Sequence, residues 1–293
     1  ITDPKGELPK VPITAEVTLD AGLKAGLANI RQFTGNIKQG TLPGGSFDVT
    51  GNYHLSNQVG QAVVKLTDLN QNALRPLLAP KLADKSLTSV SIDANTTANY
   101  NPKGESTVKG TVRVANLVLQ DPKGSLPKTP TAADLTLDAS LKNGVADLRQ
   151  LVAKILHNNL PAGNLDVVGK FDTTNKVGQA TLKLTDLNQN AIAPFAASAL
   201  GDKKLTSVNI NATADAKFDA KGSSSVKADV QVANLLLQDP AGSLPKTPLA
   251  VGLHADAGML KDVIDVRDVS VKLTPTARAQ NILQLTGKVD QSK

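Results

Sequence analysis

The chain has 293 residues and 40% of them are hydrophobic, which is ample for a sizeable core, yet only 2% are aromatic. This scarcity of rings argues against a sugar-binding or single-stranded nucleic-acid platform, because both need flat surfaces for stacking. With 32 Lys and Arg spread among 26 Asp and Glu, the net charge of +6 has no basic block that favours nucleic acid as a partner, and the absence of Cys excludes disulfides and thiolate chemistry.

The first predicted element is a strand whose apolar side chains occur at every second position from Ile13 to Leu19. Such alternation places apolar and polar side chains on opposite faces of a half-buried strand. Asp20 ends this run and Arg31 follows eleven residues later. The same Asp and Arg recur at 138 and 149 and at 256 and 267. These pairs can form ion pairs on the polar face, where exposed pairs contribute little stability.

A helix is predicted over residues 70–82, where Leu side chains recur at helical spacing and Asn70 or Asn72 serves as the N-cap. Its counterpart runs from Gln189 to Leu200 and ends at Gly201, a residue type typical of helix C-termini. A proline inside each helix predicts a short or kinked one. Such a helix covers only part of a sheet, so the remaining apolar face must meet a second sheet, curl on itself or face a ligand.

The two strands that follow each helix carry an apolar stripe that is the main candidate site. If this stripe faces lipid, small and branched aliphatic side chains suit acyl chains, which need smooth, non-directional contact. If it is an ordinary sandwich or barrel core, the same side chains are buried, so alternation alone leaves both interpretations open. The candidate lipid-facing residues are Val90, Ile92, Val112, Val114, Leu117, Leu119, Val208, Ile210, Val230, Val232, Leu235 and Leu237.

Exact internal repetition organises the whole chain. The phrases DPKGELPK, DPKGSLPK and DPAGSLPK begin at Asp3, Asp121 and Asp239, a constant spacing of 118 residues, and LTDLNQNA occurs twice at the same spacing. Constant offsets indicate tandem duplication of one structural unit. We therefore divide the chain into repeat 1 (residues 1–120), repeat 2 (121–238) and a partial repeat 3 (239–293). The start at Ile1 and the end inside repeat 3 predict a segment of a longer protein.

These patterns predict a mainly β fold made of tandem antiparallel sheet repeats. Each complete repeat has about six strands joined by hairpins and one short amphipathic helix, because Gly, Pro and Asn turn signals separate the alternating runs. A curled half-pipe or groove is the expected shape of the sheet. No run of about 20 apolar residues is present to span a bilayer, and no signal peptide opens the chain.

The sequence predicts no catalytic or metal-binding constellation and no cofactor. His54, His157 and His254 occupy unrelated repeat positions, so each is interpreted as a solvated or incidental residue. Asp68 and Asp186 recur at a strand-to-helix junction, where Asp most often caps a helix or forms a turn. The dense acidic loop of a calcium site is missing. An enzyme would need a site built once in a duplicated scaffold, for which residues 274–280 are the only candidate.

Three ordered motifs resemble the AsmA-like family, which includes TamB-type envelope proteins. The first is the strand and helix VVKLTDLNQNALRPLLAPKL. The second continues through LTSVSIDANTTANY into STVKGTVRVANLVL. The third returns through LTLDASLKNGVADLRQL and LPAGNLDVVGKF. The resemblance covers essentially the whole chain, repeat by repeat, although the 118-residue repeat is more uniform than this family leads us to expect.

The resemblance implies a non-enzymatic protein of the bacterial periplasm or cell envelope, anchored in the inner membrane in its full-length form. Its apolar sheet face would shield or conduct lipid acyl chains between membranes, with adjacent repeats of a longer chain as further partners. Open sheet edges would also favour self-association. The alternative is a structural or adhesive surface fibre or stalk built from closed β repeats, located outside the cell. The near-identity of the repeats favours this alternative slightly.

Overall fold

A computed structural model describes residues 12–122, 124, 126–220, 222–261, 263–274 and 282–290. Its strands are β1 Ile13–Lys24, β2 Leu27–Gln39, β3 Leu42–His54, β4 Gly60–Asn70, β5 Ser86–Tyr100, β6 Glu105–Gln120, β7 Thr131–Lys142, β8 Val145–His157, β9 Leu160–Asp172, β10 Val177–Asn188, β11 Lys204–Asp219, β12 Ser223–Gln238, β13 Leu249–Leu260, β14 Val263–Leu273 and β15 Ile282–Asp290. Its α-helices are α1 Gln71–Leu78 and α2 Gln189–Leu200, and a short 3-10 helix, Ala79–Lys81, follows α1.

The described strands form one open sheet of fifteen strands whose spatial order is their order along the chain. Neighbouring strands pair antiparallel within each hairpin, for example β1 with β2, β2 with β3 and β3 with β4. Tertiary contacts divide the chain into two compact units, residues 1–143 with 157–159 and residues 144–156 with 160–293. We call these the first and second contact units.

The mainly β, antiparallel fold class predicted from the sequence is confirmed. Six strands and one helix precede residue 121, and six strands and one helix follow at the same spacing: β1 Ile13–Lys24 corresponds to β7 Thr131–Lys142, and β6 Glu105–Gln120 corresponds to β12 Ser223–Gln238. Partial repeat 3 supplies β13, β14 and β15. The segment proposed as the only candidate for an enzyme site, 274–280, lies outside the described residues apart from Thr274.

Register keeps the two faces of the sheet chemically distinct. Across β5 and β6, Ile92 lies opposite Val114 and Ala94 opposite Val112, while the intervening Asp93 lies opposite Arg113. Because directly opposed residues share a face, each strand adds apolar side chains to one surface and polar side chains to the other. A shift of one residue would exchange the two surfaces, so the alternating pattern specifies the register.

A β-bulge in β4 redirects the chain into α1. Pairing with β5 shifts between Leu66 and Leu69, and Asp68 inside the shift has a left-handed φ of 46°. The Asp68 backbone N–H donates to the Asp93 carboxylate over 3.0 Å, and the Asp68 carboxylate accepts from the Ser91 hydroxyl over 2.7 Å. These bonds stabilise an unfavourable backbone conformation.

The same bulge recurs in β10 at Asp186, whose φ is 54°. Its backbone N–H donates to the Asn211 side chain over 3.0 Å, and its carboxylate accepts from Asn209 over 3.1 Å. The expectation that these aspartates cap a helix or form a turn is therefore wrong: both lie in strand bulges, and Asn70 and Asn188 cap the helices.

Each helix begins at the predicted kind of cap. The Asn70 side chain accepts from the Asn72 backbone N–H over 3.0 Å, and the Asn188 side chain accepts from Asn190 over 2.9 Å. Gly201 follows α2 with a φ of 64°, as the sequence predicts for the C-terminal end. The caps fix where each helix starts relative to the sheet.

Very little of the described protein is buried, and the buried side chains concentrate where the helices meet the sheet. In the first contact unit they include Ala73 of α1 and Leu87 and Val90 of β5. The helix contacts β2, β3, β4 and β5, and the Val90 N–H donates to the Gln71 side chain of α1 over 3.2 Å. Each helix therefore covers one end of the apolar face and leaves the rest without a second layer among the described residues.

Candidate functional site

The apolar face of the first contact unit is half-buried over most of its length, and it is exposed on β1 and at the end remote from α1. Val17 and Leu19 of β1 are 51% and 63% exposed, and Tyr100 of β5 and Val108 of β6 are also exposed. An aliphatic side chain of this size contributes stability by leaving water, at about 25 cal/mol per Å² of apolar surface. Monomeric soluble proteins rarely leave large contiguous apolar patches open, so a surface of this kind marks a binding or association site.

The second contact unit repeats the arrangement. Opposed apolar pairs run from β9 through β15, for example Leu182 opposite Ala214 and Val266 opposite Gly287. Leu182, Phe218 and Leu285 are among its exposed side chains. All described residues of β15 are exposed, as expected for the last strand of an open sheet.

The structure brings the sequence-predicted stripe residues of each repeat onto one face. Cross-strand register pairs Ile92 with Val114 and Ile210 with Val232, and a bulge at Asn116 or Asn234 keeps the following leucines on the same side. Ten of the twelve are half-buried: Ile92, Val112, Val114, Leu117, Leu119, Ile210, Val230, Val232, Leu235 and Leu237. Val90 and Val208 differ because they are buried at the helix end.

An aromatic pair at the end of the face remote from each helix was missed by the sequence analysis. Gly60 lies between Tyr53 and Tyr100 on adjacent strands, and Gly178 lies between Phe171 and Phe218 in the same way. A Cβ on Gly178 would stand 2.7 Å from the Phe171 ring, so the ring lies directly over the glycine backbone. The signal was present in the sequence: two aromatic positions recur 118 residues apart in a chain with almost no aromatics.

The phenylalanine pair lines an open trough on the second apolar face. The trough has a volume of about 450 Å³, and its walls include Leu148, Phe171, Ala180 and Phe218. Aromatic and aliphatic walls with few polar groups are typical of sites for apolar ligands. Few polar side chains line the trough to form hydrogen bonds with a ligand, which fits a ligand without polar groups along its length.

The opposite face is polar and its charges are matched. The Arg31 guanidinium bonds both carboxylate oxygens of Asp20, one of them over 2.8 Å, and Arg267 bonds Asp256 over 2.7 Å. Hydrogen bonding to these guanidinium groups lowers the pKa of Asp20 and of Asp256 below the ordinary value. The predicted pairing is thus confirmed for the first and third pairs.

A polar hollow of about 910 Å³ lies in the second contact unit and is the competing candidate site. Its lining includes Asp147, Lys170 and Lys227. Lys170 binds Asp147 over 3.2 Å and Lys227 binds Asp256 over 3.6 Å, so these charges are already compensated within the sheet. In the described part of the chain, no cluster of three metal-ligating side chains is found.

His157 is buried, which corrects its interpretation as a solvated residue. Its Nε2 lies 2.6 Å from the Thr129 hydroxyl and its Nδ1 lies 3.2 Å from the Thr131 hydroxyl. Burial lowers the pKa of the imidazole, because desolvation disfavours the charged form. His254 instead contacts Asp229 over 2.6 Å on the polar face. His157 therefore contacts two hydroxyls and His254 contacts one carboxylate, and the described contacts do not join a carboxylate, a histidine and a hydroxyl into one set.

Comparison with known proteins gives no match for this chain among family profiles, curated proteins or solved structures. Across the described ranges, no helix combines the length and apolar character that crossing a bilayer requires. Function must therefore be argued from the sheet itself.

Proposed function

We propose that the apolar sheet face binds lipid acyl chains and that the protein is a non-enzymatic lipid-shielding or lipid-conducting protein of the bacterial envelope. The observation that carries the proposal is the uncovered apolar face in each contact unit, backed by a polar face of the same strands. Covering such a face with hydrocarbon removes apolar surface from water without requiring directional contacts. The envelope location and the inner-membrane anchor follow from the AsmA-like resemblance.

The strand arrangement supports an extended ligand. Among the described residues, strands that are consecutive in the chain pair with each other, so apolar side chains recur at regular intervals across each contact unit. A flexible hydrocarbon chain can contact many such side chains in succession.

The first experiment is organic extraction and mass spectrometry of the 293-residue protein after bacterial expression and detergent-free purification. Phospholipid or fatty acid in stoichiometric amount is the expected result. A stable, lipid-free protein would overturn the proposal and favour the structural or adhesive fibre or stalk.

A matched pair of double variants assigns the lipid to one face. Val112→Glu with Val230→Glu places two carboxylates on the apolar face, and we expect the extracted lipid to fall at least fivefold, on the order of 1 kcal/mol. Thr111→Glu with Gln231→Glu adds the same charge at adjacent positions on the opposite face and should retain the lipid. Equal lipid content in both double variants would contradict binding on the apolar face.

A structural or adhesive fibre or stalk remains the alternative function, because the two complete repeats have the same elements in the same order. The closed β repeats expected for it do not occur among the described residues, since their sheet is open. A lipid-free protein would support a fibre or stalk built from this open sheet.

A further inference from the structure

We propose that Tyr53 and Tyr100 bind the polar head group of the acyl lipid, which therefore has a fixed orientation on the apolar face of the first contact unit. The head group is identified by its chemistry: it presents acceptor oxygens, as a carboxylate, an ester or a phosphate does. This inference rests on the proposed lipid binding and adds to it the residues that recognise the polar end of the ligand.

The two complete repeats differ at this end of the sheet by two hydroxyl groups. In repeat 1, Gly60 of β4 pairs with Tyr53 of β3 and with Tyr100 of β5. In repeat 2 the equivalent aromatic residues are Phe171 and Phe218, which also pair with a glycine between them. The backbone positions and the aromatic rings are the same, so the hydroxyls are what repeat 1 adds.

Both tyrosine hydroxyls are available to a ligand. Tyr53 is 36% exposed and Tyr100 is 51% exposed, and neither has a hydrogen-bond partner among the residues that the structure describes. The Ser106 hydroxyl on the adjacent strand β6 instead donates to the Asn101 carbonyl over 3.3 Å. A tyrosine joins an apolar ring to a polar tip, which suits the boundary between an apolar surface and water.

The opposite end of this apolar face is unsuitable for a head group, because α1 covers it. Ala73 of α1 and Leu87 and Val90 of β5 are buried there. An unpaired polar group placed among these side chains would lose its hydration without gaining a partner. The head group of an amphipathic ligand is therefore more stable at the tyrosines.

Aliphatic side chains connect the two ends of the face along β4. Ala62, Val64 and Leu66 follow Gly60 at every second position and are half-buried. They share the face of the tyrosines, since side-chain direction alternates along a strand. An acyl chain can pack over these side chains while its head group accepts hydrogen bonds from the hydroxyls.

The phenylalanine pair of the second contact unit provides no such donors. Its surroundings form the apolar trough of about 450 Å³, with Leu148 and Ala180 in the walls. We therefore assign hydrocarbon contact to Phe171 and Phe218, and head-group contact to the tyrosine pair.

The tyrosines themselves report on the ligand, because the chain has two Tyr and no Trp. Bound lipid is first removed on a hydrophobic resin, and tyrosine emission is then recorded during titration with a brominated fatty acid, since bromine quenches on contact. In 2-bromohexadecanoate the bromine lies beside the carboxylate, and in 16-bromohexadecanoate it lies at the chain end. We expect the first probe to quench at least twofold more strongly at saturation. Equal quenching, or stronger quenching by the second probe, would overturn the orientation.

Mass spectrometry of the titrated protein measures how much probe has bound. If neither probe binds, the proposed lipid binding fails and this inference fails with it. If the probes bind and tyrosine emission is unchanged, the proposed lipid binding stands and this inference alone is wrong.

Two single variants test the hydroxyls directly. Tyr53→Phe leaves Tyr100 as the reporter, and Tyr100→Phe leaves Tyr53; each gives repeat 1 a ring that repeat 2 already has at the equivalent position. We expect each to weaken the binding of 2-bromohexadecanoate about fivefold, because a hydrogen bond to a charged acceptor is lost.

A second ligand separates hydrogen bonding from packing. A brominated alkyl trimethylammonium of the same chain length has no acceptor oxygen, and its affinity should be the same for the wild-type protein and both variants. Equal weakening of the two ligands, or no weakening of 2-bromohexadecanoate, would contradict head-group recognition by the tyrosines.

Discussion

The two helices occupy equivalent places and are held there differently. In repeat 1 the Arg75 side chain donates to the backbone carbonyls of Leu87 and Thr88 over 2.8 and 3.0 Å, and α1 gives way to a 3-10 helix after eight residues. In repeat 2 the equivalent of Arg75 is Ala193, and α2 continues for twelve residues to Gly201. The asparagine caps, the internal prolines, and the hydrogen bonds of the first glutamine and the next asparagine to the sheet are common to both helices, while the helix length and the arginine attachment differ.

The largest difference in stability between the repeats is expected for alanine substitution of the two glycines that lie beneath the helix starts. Gly45 has a φ of 112°, and a Cβ there would lie 2.5 Å from the Asp68 carbonyl oxygen; at Gly163 a Cβ would lie 3.0 Å from Leu187 Cα. We expect Gly45→Ala to cost about 3 kcal/mol through backbone clash and strain, and Gly163→Ala to cost about half of that. Urea unfolding followed by circular dichroism measures both, and equal losses would contradict the assigned difference.

A smaller effect is expected from the arginine anchor. Arg75→Ala leaves two carbonyls without their charged donor and should cost about 1–2 kcal/mol, detected as faster hydrogen exchange in α1. The exchange of α2 should be unchanged, which makes it an internal control. Unchanged exchange in α1 would mean that the arginine contributes nothing to its attachment.

The smallest expected effect is on the pH dependence of stability, and it comes from His157, whose equivalent in repeat 1 is Gln39. Because burial lowers the pKa of His157, the unfolded chain binds a proton more readily than the folded one, and stability falls as the pH drops below the ordinary imidazole pKa of about 6.5. His157→Gln should reduce this fall between about pH 6.5 and 5. Thermal unfolding at several pH values, with the exposed His54 changed to Gln as a control, checks the sign. An identical pH dependence in the wild-type and His157→Gln proteins would contradict it.

Local chemistry made several elements predictable. Alternation over residues 13–19 predicted β1, and Gly201 predicted the end of α2, because these signals act within a few residues. The role of Asp68 was harder to assign, because its bulge depends on Asp93 of the neighbouring strand. The burial of His157 likewise depends on hydroxyls 26 and 28 residues away.

The sequence by itself determined which side chains share a face, since side-chain direction alternates along a strand and the 118-residue repetition applies the same pattern twice. It left open whether that face is a core or a surface, because Val112 and Val230 alternate in the same way in either case. The tertiary structure decided this for the described residues: the strands pair in chain order, the sheet stays open, and each short helix covers one end only. Covering the face depends on what packs above the sheet, and neighbouring residues along a strand carry no information about that.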